Sequence, residues 1–379
     1  MAFADDLRRL LPGVRAAFDF AQTQVERLTQ SMPGAYPMYT VNGTWNHSGE
    51  NWTNWCEGFL PGMMWLFAAR DGSEAWRAKA EEYTRPLAER QHDRNVHDLN
   101  FVLGSSFGRW YALDPEPWIN DILITAGRTM GLRFKEKGQY LRSFVSDDSL
   151  FIDIMMNVGI VWRAALETND EALLALARAH CATTRRVLVR GDGSTAHEGL
   201  FDLETGEFLR QTTHQGYRGD SCWVRGLAWS LYGFGTSYRW SQEPVWLATA
   251  QANADFFIAQ PLTADGGATG VTPYDFDAPD GQRPVDTSGS AIGASGLLQL
   301  AELTTDAERA EAYRAAALRL IEPLLAPPYL GSGDPAFEGI LSQQIYHLDK
   351  GLGVGGACMF GEHFFVEALD RVLALGDAL

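Results

Sequence analysis

Positive charge is scarce in this 379-residue chain: 31 Lys and Arg stand against 48 Asp and Glu, a formal net charge of −17. A phosphate backbone would be repelled at long range, so nucleic acid is excluded as a partner. Long apolar runs are missing as well. The stretch 150–162 is interrupted by Asp153 and Asn157, whereas a bilayer crossing needs ~20 consecutive apolar residues, and no membrane partner is expected. Cysteine is sparse. Cys56, Cys181, Cys222 and Cys358 are widely scattered and read as small buried hydrophobes, not as a disulfide or zinc framework. The histidines show no His-x-x-His or His-Glu-x-x-His spacing, so no metal is expected. Gly-Lys-Ser/Thr loops are absent, and the one Gly-x-Gly-x-x-Gly match, Gly351–Gly356, has neither a preceding strand nor a suitably placed lysine, so no nucleotide cofactor is expected. The opening residues place Asp5 and Asp6 before Arg8 and Arg9, with no apolar core. They do not read as a secretory signal, and a cytoplasmic location is the expectation.

What is present is a globular composition, 46% apolar and 21% charged, with 38 Gly and 12 Trp. Tryptophan near glycine and polar residues suits a sugar-stacking cleft, although helical cores also use it as filler. One segment type recurs: an acidic or proline-bearing turn followed by apolar residues at helical spacing, as in Gly72–Ala78, Asp114–Trp118, Asn169–Leu173, Ser241–Trp246 and Thr305–Arg309. Such turns suit the positive ends of helix dipoles. Between them lie helices apolar almost all round: Trp55–Ala69, Asp98–Leu113, Asp153–Thr168, Trp223–Trp240 and Ser290–Leu303. A helix apolar on every face must be covered on every face, so these form an inner layer and the amphipathic ones an outer layer. Helices near 4–31 and 361–376 pair to complete a sixth couple. The expected fold is all-α, an (α/α)₆ barrel in a single domain over residues 1–379. Arg190–Gly219 and Gly266–Gly289 read as long connections with a few short strands.

Asp153 is the most informative residue. It sits among Leu150, Phe151, Ile152, Ile154 and Met155, surroundings expected to raise a carboxyl pKa. It reads either as a helix N-cap, in competition with Ser146, Asp147 and Asp148, or as a general acid paired with Asp98 at the start of the previous inner helix. His97 lies beside Asp98. A second group, His197 followed by Gln211–Tyr217 with His214 and Gln215, then Arg225, gathers donors suited to hydroxyls and a carboxylate.

These residues resemble the unsaturated glucuronyl hydrolases, glycoside hydrolase family 88, in Trp55-x-Glu57-Gly58-Phe59-x-x-Gly62-x-x-Trp65, His97-Asp98-Leu99-x-Phe101, Asp153-x-x-x-Asn157, Thr213-His214-Gln215-Gly216 and Trp223-x-Arg225-Gly226-x-Ala228-Trp229. The resemblance implies an (α/α)₆ barrel without metal or cofactor. It also implies removal of a terminal 4,5-unsaturated uronic acid from lyase-generated oligosaccharides by hydration of the vinyl ether. Asp153 is then the catalytic acid/base and Asp98 its partner, which is expected to raise the Asp153 pKa. Trp55, His97, His197, His214, Gln215, Arg225, Trp229, Tyr346 and Lys350 are substrate-binding. The partner is the unsaturated oligosaccharide, with a homodimer left open. Unsaturated rhamnogalacturonyl hydrolysis is one alternative, and a non-catalytic sugar-binding toroid another. Two departures bear on the far subsite. Phe360-Gly361-Glu362-His363-Phe364-Phe365 stands where the family has Trp-Gly-Asp-Tyr-Tyr, and Tyr346–Lys350 keeps only the lysine of a Ser-x-x-Ser-x-Lys stretch. A weakened sulfate pocket is the expectation, with Glu362 adding negative charge if it points inward.

Overall fold

Helices begin where a side chain or a preset backbone satisfies the first turn. In the computed structural model, Asp170 accepts from the Leu173 N–H at 3.0 Å, Asp286 from Ser288 at 3.1 Å, and Asp306 from Glu308 and Arg309. These caps occupy orphan donors. Pro117 and Pro244 stand first in their helices, where a missing N–H costs nothing. The structure describes residues 2–46, 52–264, 267, 268 and 270–379. In chain order the helices are α1 (Ala2–Ser31), α2 (Phe59–Asp71), α3 (Glu74–Thr84), α4 (Phe107–Leu113), α5 (Pro117–Gly131), α6 (Ile154–Asn157), α7 (Gly159–Thr168), α8 (Glu171–Leu188), α9 (Val224–Ser241), α10 (Pro244–Ala259), α11 (Thr287–Leu303), α12 (Ala307–Ile321) and α13 (Met359–Asp377). Among the described residues no helix is long and apolar enough to cross a membrane.

The chain divides into two compact units. The first comprises Met1–Ala80, Pro261–Tyr274 and Ala278–Leu379. Here α1 packs on α13, as expected of the first and last helices, while α13 also meets α2 and α11. Helix α11 is buried from Thr287 to Ala301, and α2 from Phe59 to Ala68, as the inner-layer composition requires. Of the expected connection Gly266–Gly289, residues 266 and 269 lie outside the described residues.

The second unit comprises Glu81–Gln260 and Asp275–Asp277. Helix α5 packs on α7, α7 on α8 and α9, and α9 on α10. Two expected inner helices are broken. Asp98–Leu113 is a π turn over Asn100–Gly104 followed by α4, and Asp153–Thr168 is α6 followed by α7. A three-stranded antiparallel sheet orders Ser149–Phe151, Glu198–Phe201 and Phe208–Thr212, with Phe151 opposite Glu198. The Ser146–Asp148 turn therefore leads into a strand, and these residues do not compete to cap the helix after Asp153.

Glu362 corrects one expectation. It adds no charge to a subsite: it is 1% exposed inside the first unit, accepting N–H groups from Ile340 (2.6 Å), Leu341 (2.9 Å) and the Gln344 amide (3.0 Å). Its neighbour His363 is buried too, with Nδ1 3.1 Å from the Phe59 carbonyl oxygen. These two departures from the family pattern lie in the packing. Burial pushes the Glu362 carboxyl up from 4.5 to about 8, against the three donors that favour its charge.

A folded pKa above the ordinary value means that the stabilisation is complete below about 4.5 and is lost as pH rises towards about 8. Glu362→Gln replaces the acid's single O–H by an NH₂ that turns two hydrogens towards three donors, and should cost about 1–3 kcal/mol. The wild-type margin in melting temperature should be largest near pH 5 and shrink by pH 8. Thermal melts of both proteins at the two pH values check this, and a margin that widens with pH would contradict it.

Candidate active site

The sheet positions Asp153. Ile152 donates its N–H to the His197 carbonyl at 2.9 Å, carrying the strand pairing one step past Phe151 and Glu198. Asp153 then falls beside the His197 ring, with Oδ2 3.5 Å from Nε2. It occupies the residue before α6, yet its side chain caps no N–H, so the N-cap alternative fails. Its Oδ2 is buried without a hydrogen-bond partner, an arrangement that costs stability unless function uses it.

His197 is held in one tautomer. Its Nδ1 accepts the His214 backbone N–H at 3.0 Å and lies 3.1 Å from Thr213 Oγ1. That hydroxyl already accepts from Gly216 at 2.7 Å and Gln215 at 3.2 Å, so its proton is free for Nδ1. The ring hydrogen therefore sits on Nε2, facing Asp153. The tight turn depends on Gly216, where a Cβ would come within 3.1 Å of Asp275 Oδ2, Thr213 Oγ1 and Trp223 Cβ.

The Asp98 half repeats the device. His97 Nδ1 accepts the Phe144 N–H at 2.9 Å, which leaves Nε2–H 3.4 Å from Asp98 Oδ1. Arg133, buried, donates to the carbonyls of Arg94 (2.6 Å), Arg142 (3.0 Å) and Ser143 (2.6 Å), bracing the loops on either side. Asn157 Nδ2 lies 3.4 Å from Asp98 Oδ1 and 3.2 Å from the Asp153 carbonyl.

Electrostatics reverse the expected assignment of the two carboxyls. Burial first, then the charge of Asp153, push Asp98 well above its ordinary value, with Arg133 and Arg90 opposing. Burial also pushes Asp153 up, but the His197 N–H, with His97 and Arg225, outweighs it and holds the group below its ordinary value. Asp98 is thus the member that holds a proton more readily and Asp153 the one that ionises more readily: burial outweighs the donors at Asp98 and is outweighed by them at Asp153. Burial, joined by Arg133, lowers His97 to about 3, so it is neutral.

Around this pair, Arg225 donates to Gln215 Oε1 at 2.6 Å and lies 4.5 Å from the Trp223 ring centroid. His214 is 47% exposed and meets buried Glu198 at 3.2 Å. Trp229 is 1% exposed and packs against Phe101, so it presents no open ring face. In the first unit, Trp55 Nε1 donates to the Tyr346 hydroxyl at 3.2 Å and its ring stacks on Phe360 at 5.4 Å. Tyr346 also stacks on Tyr39, and Lys350 Nζ stands 4.9 Å from the Trp52 ring centroid. Among the described residues no group of three or more His, Cys, Asp or Glu is arranged to hold a metal ion. Sequence reasoning missed Asn157, Thr213 and Glu198 as members of the cluster, although the first two stood inside quoted motifs.

The family model for Glycosyl Hydrolase Family 88 matches residues 24–262. An unsaturated glucuronyl hydrolase of Formosa agariphila is 29% identical over 326 residues, 84% of this chain and 80% of its own. An unsaturated chondroitin disaccharide hydrolase of Streptococcus pyogenes serotype M1 is 26% identical over 84% of this chain and 81% of its own. Among solved structures, an unsaturated glucuronyl hydrolase specific for heparin superposes with a TM-score of 0.87 at 26% identity, covering 97% of this chain and 98% of its own. That likeness bears out the all-α, (α/α)₆ class.

Both ring tautomers can be measured. In ¹⁵N-histidine spectra, His97 and His197 should each show a protonated Nε2 and a bare Nδ1, and His97 should not titrate between pH 8 and pH 5. A proton found on either Nδ1 would overturn the assignment.

Proposed function

The chain belongs to glycosyl hydrolase family 88 and is a glycoside hydrolase, and from that premise we propose that it removes the non-reducing terminal 4,5-unsaturated uronic acid from oligosaccharides left by polysaccharide lyases. The observation that carries the site assignment is the buried Asp153 Oδ2, with His197 Nε2 3.5 Å away and no closer donor, in a cluster with a second carboxyl that burial pushes well above its ordinary value. One catalytic domain over residues 1–379 belongs to this reading, supported by structural likeness over 97% of the chain. A cytoplasmic setting belongs to it too, supported by four buried, widely scattered cysteines.

The unsaturated sugar is a vinyl ether. A proton added at C4 leaves positive charge at C5, next to the ring oxygen, and water captures it. The resulting hemiketal opens and releases the remaining sugar. Asp153 gives the proton to C4 and takes one back from the attacking water, so the carboxyl ends as it began. The free group is ionised, and the arriving uronate carboxylate supplies the negative charge that raises it to take up its proton on binding. Asp98, whose carboxyl is pushed up by burial and by the Asp153 charge, keeps its proton and donates a hydrogen bond to sugar hydroxyls. Arg225, braced by Gln215 and the Trp223 face, is the cation for the uronate. His97, His197 and His214 complete the polar lining. In the first unit, Trp55, Tyr346 and Lys350 serve as substrate-binding residues, as the family resemblance implies, and the partly open Trp52 and Trp55 rings support it.

Activity is followed as loss of the unsaturated-uronate absorbance on lyase-derived disaccharides. Asp153→Asn should lose roughly 10²–10⁴-fold in turnover, and Arg225→Ala should raise KM with kcat also falling. Near-wild-type turnover by the Asp153 variant would refute the site assignment.

Selectivity is a further expected outcome. Lys350 is a single exposed cation next to Asp349, without the serine pair that would complete a sulfate pocket. Unsulfated chondroitin disaccharide should therefore give a higher kcat/KM than its 6-O-sulfated form. A clear advantage for the sulfated sugar would overturn this reading.

A further inference from the structure

Two asparagines outside the expected site set tie the carboxyl-bearing turns together. Asn157 is wholly buried, and its Oδ1 accepts the N–H groups of Asn100 at 3.1 Å and Phe101 at 3.0 Å. Those are orphan donors at the start of the π turn after Asp98, and a buried turn needs an outside acceptor for them. Asn100 answers in the other direction, its Nδ2 donating to the Met156 carbonyl at 2.8 Å. The pair therefore spans from the turn that follows Asp98 to the turn that follows Asp153. Gly104 makes the room: a Cβ there would come within 2.2 Å of Asn100 Oδ1. With its oxygen committed to the π turn, Asn157 must point its amide nitrogen at the Asp153 carbonyl and Asp98 Oδ1. His97 Nε2–H faces the same Asp98 oxygen.

We propose that Asn157 is a positioning residue for the catalytic pair: it registers the two turns through the Asn100 exchange and, together with His97, commits Asp98 Oδ1 to accepting, so that the Asp98 proton is carried on Oδ2. The inference rests on the proposed roles of Asp153 and Asp98.

Asn157→Asp separates anchoring from donation. It keeps an oxygen for the Asn100 and Phe101 N–H groups but turns an acceptor towards Asp98. The charged or titratable groups acting on Asp98 are His97, Asp153, Arg133 and Arg90. A donor favours the ionised carboxyl, so losing it raises the Asp98 pKa, and a new carboxylate raises it further. The variant should stay folded, lose roughly 10–100-fold in kcat with KM changed by no more than about twofold, and show the basic limb of kcat moved to higher pH. A merely structural residue would lower the melting temperature and leave that limb in place. A folded Asn157→Asp enzyme with wild-type kcat and an unmoved limb overturns the proposal. If this variant does not fold, Asn100→Ser decides. It leaves Asn157 facing Asp98, so a drop in kcat at an unchanged melting temperature and with an unmoved limb supports the clamp, and wild-type kcat, or a drop that only follows a lowered melting temperature, overturns it. Asp153→Asn is assayed in the same series: normal turnover there sinks the proposed function itself, whereas an inactive Asp153→Asn beside a wild-type-like Asn157→Asp sinks the clamp alone.

Discussion

Two carboxyl groups buried in one cluster cannot both carry charge cheaply, and the second unit is organised around that constraint. The environment breaks the tie by the balance of burial against nearby donors and charges. Asp153 has the His197 N–H beside it and Arg225 nearby, so it keeps the charge. Asp98 lies deeper, and the charge of Asp153 adds to the penalty of its burial. The outcome is a pair whose two members differ in their hold on a proton, the asymmetry needed to deliver a proton and then recover one.

Holding that state requires each donor to have a fixed direction, and backbone supplies it. Both histidines take a main-chain N–H into Nδ1, from His214 for one and Phe144 for the other, so neither ring can flip without giving up a main-chain hydrogen bond. Thr213 does several jobs with one hydroxyl, accepting from the turn that follows it while its proton serves the His197 ring. Arg133 spends its guanidinium on three carbonyls, which braces the loops around His97. The carboxyls meet preset dipoles and not mobile water, the condition under which a polar site acts without reorganising.

Much of this was legible in the chain. The inner and outer helices follow from apolar periodicity and from acidic or proline starts, and Asp98 and Asp153 stand out as carboxyls at the heads of apolar segments. The direction of the Asp153 shift was not legible. Leu150, Phe151 and Ile152 are its neighbours in sequence, but strand pairing brings His197 from more than forty residues away, and a local window cannot weigh a donor it does not contain. Glu362 misled for the same reason, since its three N–H partners lie some twenty residues upstream. The broken helix after Asp98 was also hidden, because a π turn has the same composition as the α-helix it interrupts, and only the Asn100–Asn157 exchange tells them apart.

An acidic protein that binds an acidic sugar presents an electrostatic conflict, and distance resolves it. The net charge of −17 acts on an approaching uronate through water and salt, where fields fade over ~8 Å at physiological ionic strength, so its cost falls mainly on the encounter rate. Within the site the interactions are short and weakly screened. Arg225 is 2% exposed, and a buried guanidinium braced by Gln215 outweighs many distant surface carboxylates. The low Asp153 pKa fits the same logic. The free carboxylate stands beside the His197 N–H while the site is empty, and the incoming uronate replaces that charge with its own, driving Asp153 to take up the proton it must next give away. Substrate binding and arming of the acid are then one event, and the repulsion between two anions becomes the force that loads the proton.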